Sequence, residues 1–245
     1  MSFQLELFVH PMCPFAQRCL YVASIKQLKL DVRQVDLEQK PSWFIEENPE
    51  GYLPALIIRT GSAKVLIHES LVISQFLDSL PGTSLYPKGN CPIQNALNKA
   101  IIDIQISTNI EPLRRAIRMI YHTNSPNSRH LASFSRIVKT VNNMVPSGSY
   151  FSSQLFNTNQ LTFIDLMAFP LIERIIAFKD LNLPYYDKLD LTNLSLYYAS
   201  LSQILAISQH QMPLKRYINL RKRMQLKKYK GLQLPAATYD TEPTI

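Results

Sequence analysis

The chain has little glycine, six residues in 245, and only three cysteines, yet it carries sixteen prolines. Scarce glycine with frequent proline favours helices ended by proline stops. The low and odd cysteine count excludes a disulfide framework and fits a reducing compartment. Cytoplasm is the expected location, with a mitochondrion or another organelle as the alternative. No apolar run approaches the ~20 residues needed to span a bilayer. The opening "MSFQLELFVH" reads as a strand, not as a secretory signal or an Arg/Ser-rich transit peptide. Internal repeats and low-complexity tracts are also absent. Acidic residues are missing from "PLKRYINLRKRMQLKKYK", residues 213–230, whose eight bases equal the whole net charge of +8.

What is there is an ordered alternation of elements. Residues 3–9 and 30–37 alternate apolar and polar residues and read as strands, with a helix over 14–27 between them. A short helix follows, with Pro41 at its first position. "ALIIRTGSAKVLI", 55–67, reads as a hairpin around Gly61-Ser62, and 70–80 as a helix. The order βαβ, α, ββ, α implies a parallel first pair joined by a right-handed crossover, then an antiparallel pair. That is a thioredoxin-like domain over 1–80. Residues 81–92 read as a linker, 93–232 as an all-helical domain and 233–245 as a loose tail. Within the helical part Thr162 and Asp165 have the spacing of a capping box, with a structural role expected for Asp165.

The stretch "VHPMCPFAQRCL" places Cys13 at the strand–helix junction and Pro14 at the helix start. First-turn N–H groups have no helical acceptor and carry partial positive charge. A thiolate there is stabilised, so the Cys13 pKa is expected to fall. Dithiol enzymes of this architecture use C-x-x-C, and here the second position is Ala16. A monothiol needs an external thiol, and glutathione is the abundant one in cytosol. The bland reading of Cys13 is a buried structural cysteine.

Glutathione brings an ammonium, two carboxylates, a thiol and an extended backbone. Leu53-Pro54 precedes a strand. A cis bond there turns the Leu53 N–H and C=O outward, where they can pair with the ligand's cysteinyl backbone. Ser70 opens a helix whose N-terminus and hydroxyl suit the γ-glutamyl carboxylate. Glu69 suits the ammonium, and Lys40 can reach the glycyl carboxylate as a point charge. Each has a plain alternative: a turn proline, an N-cap serine, a surface lysine.

These pieces, "CPFAQR", "QKPSWFIEENPEGYLPAL", "ESLVISQFLD" and "LTFIDLMAFPLIER", resemble the omega-class glutathione transferases over most of residues 3–180. The resemblance implies a glutathione transferase fold, an α/β thioredoxin-like domain plus an all-α C-terminal domain. It implies Cys13 as the catalytic thiol, glutathione held by Phe15, Lys40, Leu53, Pro54, Glu69 and Ser70, and a homodimer. It also implies thiol transfer and dehydroascorbate reduction. Cys13 forms a mixed disulfide with glutathione, which a second glutathione resolves. Glutathione is expected as co-substrate, with a small electrophile, a disulfide or dehydroascorbate as second substrate, and no metal.

The second substrate is expected between the domains, against residues 110–122. Arg114, Arg115 and Arg118 are unusual for an apolar pocket, and form either a solvated face or a welcome for an anion. The basic segment 213–230 is either a solvated helix face or a contact for an anionic membrane or protein. No nucleic-acid signature is present. The rival reading is a non-catalytic subunit of the same fold that acts in assembly or binding.

Overall fold

The computed structural model describes residues 3–36, 39–122, 126–179, 186, 188–219 and 222. Four strands form one mixed sheet in the order β2-β1-β3-β4. They are β1 (Gln4–Val9), β2 (Asp31–Gln34), β3 (Ala55–Thr60) and β4 (Ala63–Ile67). β1 runs parallel to β2, with Leu7 opposite Val32, and antiparallel to β3, with Leu7 opposite Leu56. Alternation sends Leu7, Val9 and Leu56 to one face, under α1 (Pro14–Ile25) and α3 (Ser70–Ser79). Phe8, Ala55 and Ile57 face the other way, with Val35, and pack on Phe44 of α2 (Ser42–Glu47).

Among the described residues no strand follows β4. The helices are α4 (Pro92–Gln105), α5 (Glu111–His122), α6 (Ser128–Asn143), α7 (Phe151–Phe156), α8 (Phe163–Lys179), α9 (Thr192–Ser202) and α10 (Leu205–Ser208). A π-helical stretch, Ile106–Ile110, joins α4 to α5. A further helical turn covers 214–219. The centre is α8, buried around nearly its whole circumference. It packs against α1, so one apolar core runs through the strand-bearing and the helical parts. No helix among the described residues is long and apolar enough to cross a membrane.

Two local expectations shift. Pro41 has ψ 151°, an extended backbone, so it is the cap of α2 and the helix begins at Ser42. At the start of α8 only half of a capping box forms. The Asp165 carboxylate accepts from the Thr162 N–H at 2.8 Å, but the Thr162 hydroxyl donates to the same carboxylate at 2.7 Å. The Phe151 N–H and the Tyr197 hydroxyl also donate to Asp165, so this carboxylate knits α7, α8 and α9. It is structural, as expected. The tail 233–245 and most of 213–230 lie outside the described residues. In the part described, Lys215 and Arg216 are exposed while Tyr217 is buried against Met12 and Ala177.

Candidate active site

Cys13 caps α1 with φ −81° and ψ 118°, and Pro14 stands at the first helical position. The thiol is half-buried and faces the first-turn N–H groups of Phe15 and Ala16. These donors act in the expected direction, but they do not win. Burial pushes the Cys13 thiol above its usual pKa, and the two N–H groups, with the Arg174 and Arg18 charges, offset only part of that. The expected depression is therefore corrected for the free protein: a helix terminus is legible in sequence, whereas desolvation is not. Cys19 is fully buried, and burial carries its thiol up to about 12. Its Sγ lies 3.7 Å from the Ser70 carbonyl oxygen, so it fastens α1 to α3.

Beside the α1 terminus lies a cleft of about 600 Å³, within the roughly 300–1,000 Å³ usual for small-ligand sites. It gathers five of the seven residues expected from sequence: Phe15, Leu53, Pro54, Glu69 and Ser70. The Leu53-Pro54 bond is cis. Among the described residues no other backbone group pairs with the Leu53 N–H or C=O. Glu69 sits at φ +66°, a region that non-glycine residues rarely occupy, and its side chain is exposed. Strain of this kind collects at ligand sites. Ser70 opens α3, is 7% exposed, and its hydroxyl lies 3.5 Å from Nη1 of Arg18.

Two expected residues do not line the cleft. Cys13 stands just outside its wall, two residues before Phe15. Lys40 is exposed beside Gly51, where a side chain would meet its Nζ at 2.9 Å.

Five lining residues were not foreseen from sequence, Arg18, Tyr52, His68, Leu71 and Val72, whereas Glu111 and Arg114 come from 110–122, the segment expected beside the second substrate. Arg18 is 2% exposed. Its Nε donates to the Met167 carbonyl at 2.9 Å and its Nη1 to Glu111 at 3.2 Å. Arg18 Nη2 and His68 Nδ1 are buried with no partner among the described residues. Such orphans cost free energy unless something pairs with them. Arg114 shares Glu111, and the Arg18 and Arg114 guanidiniums lie 5.5 and 5.8 Å from the Phe15 ring centre. Burial alone would raise the Glu111 carboxyl, but the two arginines hold it below its ordinary pKa.

Behind the thiol lies a second buried network. Arg174 Nη2 donates to the Met12 carbonyl at 2.9 Å, and the guanidinium lies 4.3 Å over the Tyr217 ring. Gln17 Nε2 donates to the Tyr217 hydroxyl at 3.0 Å and to Glu173 at 3.2 Å. Tyr21 and Gln211 also donate to Glu173, each at 3.0 Å. Burial raises the Glu173 carboxyl to about 7 despite these donors and the adjacent Arg174. Among the described residues no three His, Cys, Asp or Glu side chains group as a metal site.

Residues 12–80 match the family described as Glutathione S-transferase, N-terminal domain. Glutathione S-transferase omega-1 of Sus scrofa is 31% identical over 166 residues, 67% of this chain and 64% of that protein. This chain thus spans somewhat under two thirds of that relative's length. Glutathione transferase Omega 3C of Trametes versicolor superposes with a TM-score of 0.68 at 19% identity, over 93% of this chain and 92% of that one. Rice GST1, solved in complex with glutathione, gives 0.75 at 18% identity, over 95% of this chain and all of the other. At such identities the two structures speak for the fold.

Proposed function

We propose that this chain, whose residues 12–80 match the glutathione S-transferase N-terminal family and which is similar to omega-class proteins, is a glutathione-dependent thiol transferase and dehydroascorbate reductase whose nucleophile is Cys13. The observation that carries this reading is the convergence of Phe15, Leu53, cis-Pro54, Glu69 and Ser70 on one cleft beside a cysteine at a helix N-terminus.

Glutathione lies along the cleft. Its cysteinyl backbone pairs with the Leu53 N–H and C=O as an added strand. Its γ-glutamyl carboxylate takes the Ser70 hydroxyl and the α3 terminus, and its ammonium takes Glu69. The Lys40 side chain swings from its exposed position to the glycyl carboxylate. In the first step the Cys13 thiolate attacks the glutathionyl sulfur of a mixed disulfide. The old S–S bond breaks, the partner thiolate leaves and takes up a proton, and Cys13 holds glutathione as a disulfide. In the second step the thiolate of a reduced glutathione attacks that sulfur. Oxidised glutathione leaves and the Cys13 thiolate returns. With dehydroascorbate the two electrons come from two glutathiones. We assign the working form as a homodimer in the cytoplasm, with residues 1–80 binding glutathione, 81–92 as linker and 93–232 as the helical domain.

The test is mass spectrometry of the intact protein after exposure to oxidised glutathione, with peptide mapping. The expected result is one glutathione on Cys13, released by reduced glutathione, and no adduct or turnover in Cys13→Ser. A second reading, a binding or assembly module without catalysis, draws on the raised Cys13 thiol. It gains if no adduct forms, or if glutathione spreads over Cys19 and Cys91.

A further inference from the structure

The glutathione reading uses Ser70, Glu69, Leu53 and Lys40, and leaves an excess of positive charge next to the same cleft. Glu111, Arg114 and Arg118 follow one another at i, i+3 and i+7, so they form a row along one face of α5. Arg115 flanks that row. Arg114 lines both the main cleft and a second hollow of about 450 Å³ formed with Arg115, Arg118 and Met119. Arg114 therefore borders both hollows.

Glu111 is the acid of this region, and it is shared. Arg18 takes one of its oxygens at 3.2 Å and Arg114 takes the other. One carboxylate thus serves two guanidiniums. Among the described residues Arg115 and Arg118 have no acidic partner and are exposed. Arg18, by contrast, is buried, and its Nη2 has no acceptor among the described residues. A solvated face explains two exposed arginines. It does not explain an orphaned guanidinium nitrogen in the cleft wall at the foot of the same row.

Resting on the glutathione reading, we infer that the α5 side of the cleft is an anion subsite. It takes a second substrate whose thiol half bears a carboxylate. The γ-glutamyl end of glutathione occupies Ser70, and the group attached at its sulfur extends toward Arg114, where Arg115 and Arg118 continue the positive path. Arginine suits this task because its planar fork grips a carboxylate in two places. Substrates of this class are mixed disulfides formed between glutathione and an acid-bearing thiol.

The experiment uses two inert thioethers that differ by one charge, S-(4-carboxybenzyl)glutathione and S-(4-carbamoylbenzyl)glutathione, titrated calorimetrically into the intact protein. The expected result is that the carboxylate binds about tenfold tighter, a charge-assisted hydrogen-bond effect. The preference should shrink as salt rises. In the double variant Arg115→Gln/Arg118→Gln the ratio should fall to about threefold or less. In Glu111→Gln it should grow, because two guanidiniums lose their shared counter-ion. Equal affinities in the wild-type protein overturn the anion subsite and leave the glutathione site standing. A preference that ignores all three substitutions also overturns it. If neither thioether binds, the glutathione reading falls and the subsite falls with it.

Discussion

Arg174 reaches from α8 to α1 and donates from Nη1 to the Gln17 amide oxygen at 2.8 Å. The same guanidinium holds the Met12 carbonyl, the last peptide before Cys13. One buried cation therefore fixes both the turn that carries the thiol and the helix that follows it. Its charge also favours the thiolate.

Replacing this cation should show in the thiol's reactivity before anything else. In the ligand-free protein the iodoacetamide alkylation rate of Cys13 should climb with pH to a midpoint above 9.0, since burial raises that pKa. Arg174→Gln should move the midpoint higher and slow alkylation at pH 8 by roughly three- to tenfold. Arg174→Lys keeps the charge and should recover part of the loss, which separates electrostatics from a collapsed turn. A midpoint near 7 in the wild-type protein would contradict the balance described for this site.

Ser70→Ala tests the γ-glutamyl contact. Losing one hydroxyl donor should weaken glutathione binding by about 1 kcal/mol, or roughly fivefold. The alkylation rate of ligand-free Cys13 should stay as it was, because Ser70 touches Arg18 and Cys19 but is not among the groups that shift the Cys13 thiol. An unaltered calorimetric isotherm with glutathione would remove Ser70 from the site.

Glu173 makes stability depend on pH. Its folded pKa of about 7 stands above the ordinary 4.5, so the folded protein holds this proton more tightly than the unfolded chain. Stability from this group is full below pH 4.5 and is lost as pH rises through 7. The loss amounts to about 3 kcal/mol. Glu173→Gln keeps the shape without the titration. The Tm of the variant minus that of the wild type should grow by roughly 5–10 °C between pH 5 and pH 8. A difference that stays flat across that range would mean that Glu173 is charged throughout.

The legible parts of this protein were those written locally. The strand order, the Gly61-Ser62 hairpin and Pro14 at the start of α1 each occupy a few neighbouring residues and appear where expected, while Pro41 falls one position outside its helix. The cis bond at Leu53-Pro54 also stands where expected. The cleft was legible on its N-terminal side for the same reason. Its other wall was legible only as the segment 110–122; the pair that builds it was not, because Arg18 and Glu111 meet across 93 positions and no short pattern links them. Gln17 and Arg18 look like the polar interruptions of a surface helix, yet they are 1% and 2% exposed. The missed signal was that α1 also carries apolar residues on the flanking faces, so it is covered by α3 on one side and α8 on the other.

The π-helical stretch Ile106–Ile110 acts as a phase shifter between two ordinary helices. Ser107 and Thr108 both turn their hydroxyls back onto the Ile104 carbonyl, at 2.9 and 2.8 Å, and loosen the ladder there. One added residue in such a segment turns everything downstream by roughly 100° relative to an unbroken helix. Ile102 and Ile106 can thus face the core upstream while Glu111 and Arg114 still meet the cleft. Losing one residue here would turn Arg114 and the buried Leu113, Ile117 and Ile120 together, so the length of this stretch ties the packing of α5 to the wall it gives the cleft.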